Sequence, residues 1–303
     1  GMAHGPDGPI YVPYALPGET VAIARNGSQG TIMSMAAVSS DRVEPPCRHF
    51  NPDGDACGGC SLQHLADAPY QAFKRDLVFE ALHSKGLTPD AAPLVACRPG
   101  QRRRVVFSVR KTETGALVGF NRAETNHIFG VVECPISSPG IVGKLGAIRS
   151  VASSIASGIE TFRLSVTETI SGLDLAAEGV KPLGDKQRRR IIETVLLAKG
   201  VARVTVNGEI LVEPQKPLVD FGGVLVSPPP GTFLQATREA EDAISSLVLA
   251  HIGKAKRVLD LFAGSGTFSL RLARIARVHA VEGEEKPLKA LDHAARNTQG
   301  LKP

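Results

Sequence analysis

From Arg257 to Leu261 the chain reads Arg-Val-Leu-Asp-Leu, continues through Phe262 and breaks at once into Ala-Gly-Ser-Gly-Thr. An uninterrupted apolar strand of this kind belongs in a parallel sheet covered on both faces. The glycines behind it allow a sharp turn and close backbone approach to a ligand, and the helix that follows offers unpaired N–H groups. A helix over 267–274, a strand over 278–282 and a helix over 285–297 complete a βαβα run. Glu282 ends the second strand, where a carboxylate can accept both hydroxyls of a ribose. A doubly wound sheet needs about five such strands. The chain reaches Pro303 after two, so this last domain is expected to be incomplete.

The dinucleotide fingerprint carries a third glycine three residues after the second, and Ser269 stands there instead. That favours an adenosine cofactor without a pyrophosphate. Nicotinamide dinucleotide binding and a plain strand-turn-helix packing element remain the alternatives.

The 303 residues leave room for two or three domains, with 43% hydrophobic and 21% charged residues as in a soluble globular protein. No apolar run reaches the roughly 18 residues that a membrane-spanning helix requires. No secretory leader is expected, and Gly1-Met2 reads as the remnant of a removed tag. Five cysteines in such a chain are expected to be thiols kept reduced in a cytoplasm. The net charge of +5 suits a polyanionic partner, while 5% aromatic residues and no tryptophan leave little for stacking platforms.

Three modules are expected. Residues 1–45 read as β-structure, with runs Ile10–Val12 and Thr20–Ala24 around the turn Leu16-Pro17-Gly18-Glu19. Residues 46–230 read as an α+β domain of antiparallel character, opening with a cysteine-rich loop. A helix over 68–85 follows, with Phe73, Leu77, Val78, Ala81 and Leu82 at helical spacing. Hairpins are expected over 104–120 and 162–176, a strand over 128–133, helices over 140–157 and 185–199, and strands near 201–206 and 210–213. Residues 231–303, after the Pro228-Pro229-Pro230-Gly231 break, hold the βαβα run, preceded by a helix over 236–252.

Cys57-Gly58-Gly59-Cys60 is a C-x-x-C bite whose two thiolates can reach one centre. With Cys47 and the distant Cys134-Pro135 it makes four candidate ligands, suited to zinc or to an iron–sulfur cluster. Cys97 is left over and reads as a small buried apolar side chain, and His49 and His64 as polar loop residues rather than ligands. Alternation along a strand puts Arg102 and Arg104 on one face, open to phosphates. Arg188-Arg189-Arg190 reads as a solvated helix face.

Taken together these stretches resemble the RNA uridine-5-methyltransferases, and among them the iron–sulfur branch acting on 23S ribosomal RNA. Ala15-Leu16-Pro17-Gly18-Glu19 is similar to the end of that family's N-terminal TRAM domain, an OB-like β-barrel that would here be partial. Cys57–His64 and Val132-Glu133-Cys134-Pro135 are similar to its 4Fe-4S ligand segments. Phe233-Leu234-Gln235-Ala236-Thr237 is similar to the F-x-Q motif at the start of its methyltransferase domain, and the 260–269 stretch to motif I of S-adenosylmethionine-dependent methyltransferases. The resemblance implies S-adenosylmethionine contacts from Gln235, Phe262, Thr267 and Glu282, with Gly264 and Gly266 allowing close approach, and cluster ligation by Cys47, Cys57, Cys60 and Cys134. Asp260 would order the glycine loop through backbone hydrogen bonds or touch the cofactor, and Phe233 would stack on a base or pack under the linker.

The gap from Arg48 to Ala56 is longer than usual, as an inserted loop around Asn51-Pro52-Asp53-Gly54 would explain, and Thr237 replaces a common Asn. The resemblance further implies methylation of uridine C5 through a Cys–C6 adduct, with the nucleophilic Cys and the Glu base expected beyond Pro303. A monomer acting on single-stranded or loop RNA in the cytoplasm is the corresponding expectation, ribosomal RNA being favoured over transfer RNA. A non-catalytic RNA-binding protein with a four-cysteine zinc site is the alternative from a different class.

Overall fold

The computed structural model describes residues 1–50, 57–90 and 92–301. Two compact units emerge, Gly1–Ala96 with Phe120–Phe129, and Cys97–Gly119 with Gly130–Pro303. The expected insertion around Asn51-Pro52-Asp53-Gly54 lies outside the described residues.

In the first unit, strands β1 (Met2–Gly5), β2 (Gly8–Tyr11), β3 (Thr20–Asn26) and β4 (Gln29–Ala37) pair in the order β1-β2-β4-β3. The strand between β1 and β3, Gly8–Tyr11, matches the expected 10–12 run, and β3 the 20–24 run, whereas β1 and β4 carry too weak an apolar alternation to be read from sequence. The turn after β2 is tied by Glu19. Arg42 donates to both of its carboxylate oxygens, at 2.6 and 2.8 Å, and the amide of Leu16 adds a third bond at 2.8 Å. A second nitrogen bond from Arg42 reaches the Tyr14 carbonyl at 2.7 Å, so one guanidinium closes the loop from two sides.

Helix α1 (Asp67–His83) forms where its spacing predicts. Its apolar stripe does not become core: Phe73, Leu77 and Val78 are exposed, and none of the helix's residues is buried. The regular spacing specified a helix but not a partner for its face.

In the second unit the hairpin of β5 (Arg104–Thr112) and β6 (Gly115–Asn121) has the tight connection the sequence predicts, with Thr112 opposite Gly115. Strand β7 (Ile128–Gly130), whose first two residues belong to the first unit, stops short of the expected 133. The helix expected over 140–157 is divided into α2 (Pro139–Val142) and α3 (Leu145–Ile155), with Gly143 and Lys144 between them. Strands β8 (Thr161–Thr169) and β9 (Gly172–Glu178) form the second expected hairpin, with Thr169 opposite Gly172. Helix α4 (Asp185–Leu197) then leads to β10 (Val201–Val206) and β11 (Glu209–Val212).

The strands of this unit follow the order β11-β10-β9-β8-β5-β6. The antiparallel character expected for this domain holds for all of these neighbours except β9 and β10, which are parallel. Helix α4 makes the crossover that a parallel pair requires. Both β9 and β10 are buried along nearly their whole length. Leu164, Leu173, Leu175, Ile148, Ile155 and Ile191 are sealed from solvent in the core.

A hairpin that the sequence reading missed, β12 (Val219–Asp220) with β13 (Leu225–Val226), precedes α5 (Arg238–Ile252). Its strands are two residues each, too short to show a period. It packs with Phe221, Val224, Leu234, Leu270 and Ala294 into a small second core. The βαβα run follows as β14 (Arg257–Leu261), α6 (Ser269–Leu272), β15 (Arg277–Val281) and α7 (Glu285–Arg296), with β14 and β15 parallel as expected. The burial expected for β14 is only half met, since Leu259 and Leu261 are exposed in a sheet of two strands among the described residues. Among the described residues, no helix is long and apolar enough to cross a membrane.

A buried ion pair of the sheet anchors the start of the linker that leads to the βαβα run. Arg203 of β10 makes a fork onto Asp174 of β9 at 2.9 and 2.7 Å and also donates to the Pro228 carbonyl at 2.9 Å. Asp174→Ala is expected to cost about 3–5 kcal/mol in urea unfolding, because it leaves the buried guanidinium with only the partly exposed Glu213, at 3.4 Å, as a charged partner. Arg188→Ala, which breaks the solvated Arg188–Glu209 pair, should leave the midpoint in place. In the first unit, the hydrogen bonds from Arg42 hold the Glu19 carboxyl down at about 2. A folded value below the ordinary carboxylate range means that this tie stabilises above about pH 4.5 and is lost as the pH falls toward 2. Thermal midpoints of the wild type and Glu19→Gln should therefore differ at pH 7 and converge on acidification.

Candidate cofactor cleft and cysteine loop

The turn after β14 is built around Glu282. Its Oε2 accepts the amide of Gly264 at 2.8 Å and its Oε1 the amide of Glu284 at 2.9 Å. These backbone donors, Glu284 first and Gly264 second, lower the carboxyl's pKa and keep it ionised. Each oxygen retains a lone pair, so the carboxylate can still accept from a bound molecule.

The glycines are required for different reasons. Gly264 has φ +56 with open space where a Cβ would stand, so conformation alone selects it. Gly266 has φ +99, and a Cβ there would come within 3.0 Å of Leu291 and Leu270. Ser269, at the place of the absent third glycine, donates to Asp260 Oδ2 at 2.6 Å. Asp260 thus braces the strand against the start of α6 through a side chain, where backbone bonds were expected. Helix α6 covers only Ser269–Leu272, much less than the expected 267–274, so no long helix opens directly from the glycine turn.

A cleft of about 590 Å³ opens on this turn. Gln235, Phe262, Gly264, Thr267 and Glu282, all expected at the cofactor, line it together with Phe233, Ser265 and Lys286. Gly266 is buried behind the turn and does not line it. Phe233 is 71% exposed, so it does not pack under the linker, and Phe262 is 91% exposed. Thr237 caps α5, accepting the Ala240 amide at 3.0 Å, and so takes a structural role.

Ser265, between the two glycines, was assigned no role from sequence. It is 3% exposed, and its hydroxyl has no hydrogen-bond partner among the described residues. A buried hydroxyl at a cleft wall that lacks a partner suits a polar ligand, and with an ionised carboxylate and two open aromatic rings it fits an adenosine-bearing cofactor.

The cysteine loop belongs to the first unit for Cys47, Cys57 and Cys60, while Cys134 belongs to the second. The amide of Cys57 donates to the His49 carbonyl at 2.9 Å and that of Gly58 to the Asn121 carbonyl at 3.0 Å. A Cβ on Gly58 would lie 2.6 Å from the Ala123 nitrogen, so only glycine permits this backbone contact. Ser137 donates to the Cys134 sulfur at 3.2 Å. None of the five cysteines is in a disulfide, which leaves thiol chemistry that fits a thiolate-held centre. Among the described residues, no three His, Cys, Asp or Glu side chains are assembled as a metal-binding group.

Two expectations for this region are corrected. Cys97 is exposed rather than a buried apolar filler, and its sulfur meets the Thr237 hydroxyl at 3.5 Å. His49 and His64 lie in turns, as expected, but are buried rather than open to solvent. His49 packs edge-on to Phe129 at 4.6 Å, and His64 lies between Tyr14 and Phe50, at 6.1 and 5.3 Å. Burial lowers the pKa of His64 and favours its neutral form. Their isolated positions in the sequence gave no sign of these aromatic neighbours.

Arg104 is half-buried, with its Nε enclosed and no acceptor beside it among the described residues, and Arg102 is exposed. Phe262 combines a left-handed backbone (φ +60) with an exposed ring, so its conformation is strained without compensation from packing. Phe262→Gly is expected to leave the stability unchanged or to raise it by about 1 kcal/mol in urea unfolding. A clear loss would show that the ring supports the fold.

No protein-family model matches the chain. Among curated proteins, an uncharacterized RNA methyltransferase of Agrobacterium fabrum is 63% identical over 305 residues, covering 100% of this chain and 73% of its own length. The 23S rRNA (uracil(1939)-C(5))-methyltransferase RlmD of Halomonas elongata is 30% identical, over 98% of this chain and 66% of its own. Among solved structures, a Pyrococcus abyssi tRNA (uracil-54, C5)-methyltransferase in complex with S-adenosyl-L-homocysteine has the same fold. It matches with a TM-score of 0.70 at 18% identity, over 95% of this chain and 72% of its own. With the extent and identity of these matches, the chain belongs to the RNA uridine-5-methyltransferase family.

Proposed function

We propose that this chain is the greater part of an enzyme that methylates C5 of a uridine in RNA, using S-adenosylmethionine bound in the cleft of the second unit. The observation that carries the reading is the ionised Glu282 beside the glycine turn, with open acceptor capacity facing a cleft of adenosine size. Glu282 would hold the ribose hydroxyls, Phe262 would cover the adenine, and Gln235 and Thr267 would orient the remainder. Ser265 would give its hydroxyl the partner it otherwise lacks. S-adenosylmethionine supplies an electrophilic methyl group on a sulfonium.

The acceptor is made nucleophilic by a thiolate. A cysteine sulfur would add to uracil C6 and place an electron pair on C5, to which S-adenosylmethionine would supply the methyl group, leaving as S-adenosylhomocysteine. A base then takes the C5 proton, and the C6–sulfur bond breaks to restore the ring. We assign that nucleophile and base to sequence beyond Pro303, since none of the five cysteines here lies in the family's nucleophile motif. Arg102 and the half-buried Arg104 would meet RNA phosphates, and Phe233 would stack on a base.

On the resemblance we further propose ribosomal rather than transfer RNA as substrate, a TRAM-like role for the 1–45 sheet, a 46–230 RNA-binding module and a 231–303 methyltransferase module. A monomer in the cytoplasm is part of the same reading. Cys47, Cys57, Cys60 and Cys134 would hold a 4Fe-4S cluster whose role is to shape the RNA-binding surface. Methyl transfer contains no redox step, so Cys57→Ser should leave cofactor affinity intact while misplacing the loop.

Titration calorimetry tests the cofactor. S-adenosylhomocysteine is expected to bind and NADH not to, with Glu282→Ala weakening binding by about tenfold or more. Preferential NADH binding would overturn the reading. Anaerobic reconstitution should yield brown protein with iron and acid-labile sulfide, and a colourless protein holding stoichiometric zinc would replace the cluster with a zinc site.

A further inference from the structure

Glu241, in the first turn of α5, has no solvent exposure and does not line the cleft. Its Oε2 accepts from Arg103, and its Oε1 accepts both terminal nitrogens of Arg271 at 3.0 Å. Each arginine also holds a backbone carbonyl of a cleft residue. The Nε of Arg103 donates to Gln235 at 3.1 Å, and Nη1 of Arg271 donates to Thr267 at 2.9 Å. A further bond from Arg271 to Asp242 at 2.6 Å balances the cluster at two positive and two negative charges. Gln235 comes from the linker and Thr267 from the glycine turn, so they stand on different elements of one cleft.

We propose that Glu241 is a positioning residue for the cofactor: by holding Arg103 and Arg271 on one carboxylate, it sets the separation of the two cleft walls. This rests on the cofactor reading above and goes beyond it, because Glu241 would act on affinity without touching the ligand. The middle arginine of the Arg102-Arg103-Arg104 run thereby has a duty different from that of its neighbours. Alternation turns it away from their face. A carboxylate is needed because only an acceptor with two oxygens can engage both guanidiniums at once. A guanidinium is needed because its fork can serve a carboxylate and a carbonyl together, as an ammonium cannot in the same geometry.

The test measures S-adenosylhomocysteine affinity by titration calorimetry on this chain, below every variant's melting midpoint. Glu241→Gln, Arg271→Lys and the core variant Leu164→Ala are compared with the wild type. Leu164 is fully buried in the central sheet and touches neither the carboxylate cluster nor the cleft, so it reports the effect of lost stability alone. Arg271→Lys keeps the buried positive charge and serves if Glu241→Gln does not fold. The expected result is about tenfold weaker binding in the cluster variants and wild-type affinity in Leu164→Ala. Wild-type affinity in the cluster variants overturns the proposal, as does an equal loss in Leu164→Ala. A wild type that fails to bind S-adenosylhomocysteine overturns the cofactor reading itself and this inference with it.

Discussion

A charged arginine buried without a carboxylate is among the costliest errors a fold can contain, and at Arg203 and Arg103 the second unit avoids it. Arg203 and Arg103 lie at the two ends of the segment from Pro228 to Gln235, each paired with a buried carboxylate and each donating to a carbonyl of that segment. The proline run cannot donate amide hydrogens into a sheet. Its carbonyls are free to accept: Pro228 accepts from Arg203 and Pro229 from the Thr232 hydroxyl. The linker is thereby fixed to strands formed far away in sequence, and one wall of the cleft is fixed with it.

The opposite wall has a separate origin. A parallel strand pair places its carboxyl ends side by side, and the crevice beyond them is where ligands of open α/β sheets bind. Here β14 delivers Phe262 and the glycine turn, β15 delivers Glu282, and a hydrogen bond from the Gly264 amide to that carboxylate joins the two ends. The protein's own hydrogen bonds thus organise the turn. Pre-organised polar groups bind without a further ordering cost, which suits a cofactor that must be exchanged after every turnover.

Much of the architecture was legible because it was local. The hairpins of the central sheet, the βαβα run and the place of Glu282 follow from alternation, glycine position and apolar runs. The cleft residues Gln235, Phe262, Thr267 and Glu282 were legible through motif resemblance, and the structure brings them to one cavity. What escaped was contextual. The hairpin of β12 and β13 is too short to show a period, the face of α1 is apolar without a cover, and Cys97 is exposed despite its small apolar side chain. His49 and His64 become buried only because aromatic rings from elsewhere in the first unit surround them.

The sequence by itself determined the strand-turn-helix, its missing third glycine and the cysteine spacing, since these depend on neighbours a few residues apart. It could not reveal that Ser269 would brace Asp260, that Ser265 would be buried without a partner, or that Glu241 would gather two arginines. Those facts belong to the tertiary structure. A charged side chain at position 103 or 241 reads as solvated surface until folding brings residues more than a hundred positions apart into contact. Burial then turns an ordinary ion pair into a constraint on the shape of the cleft.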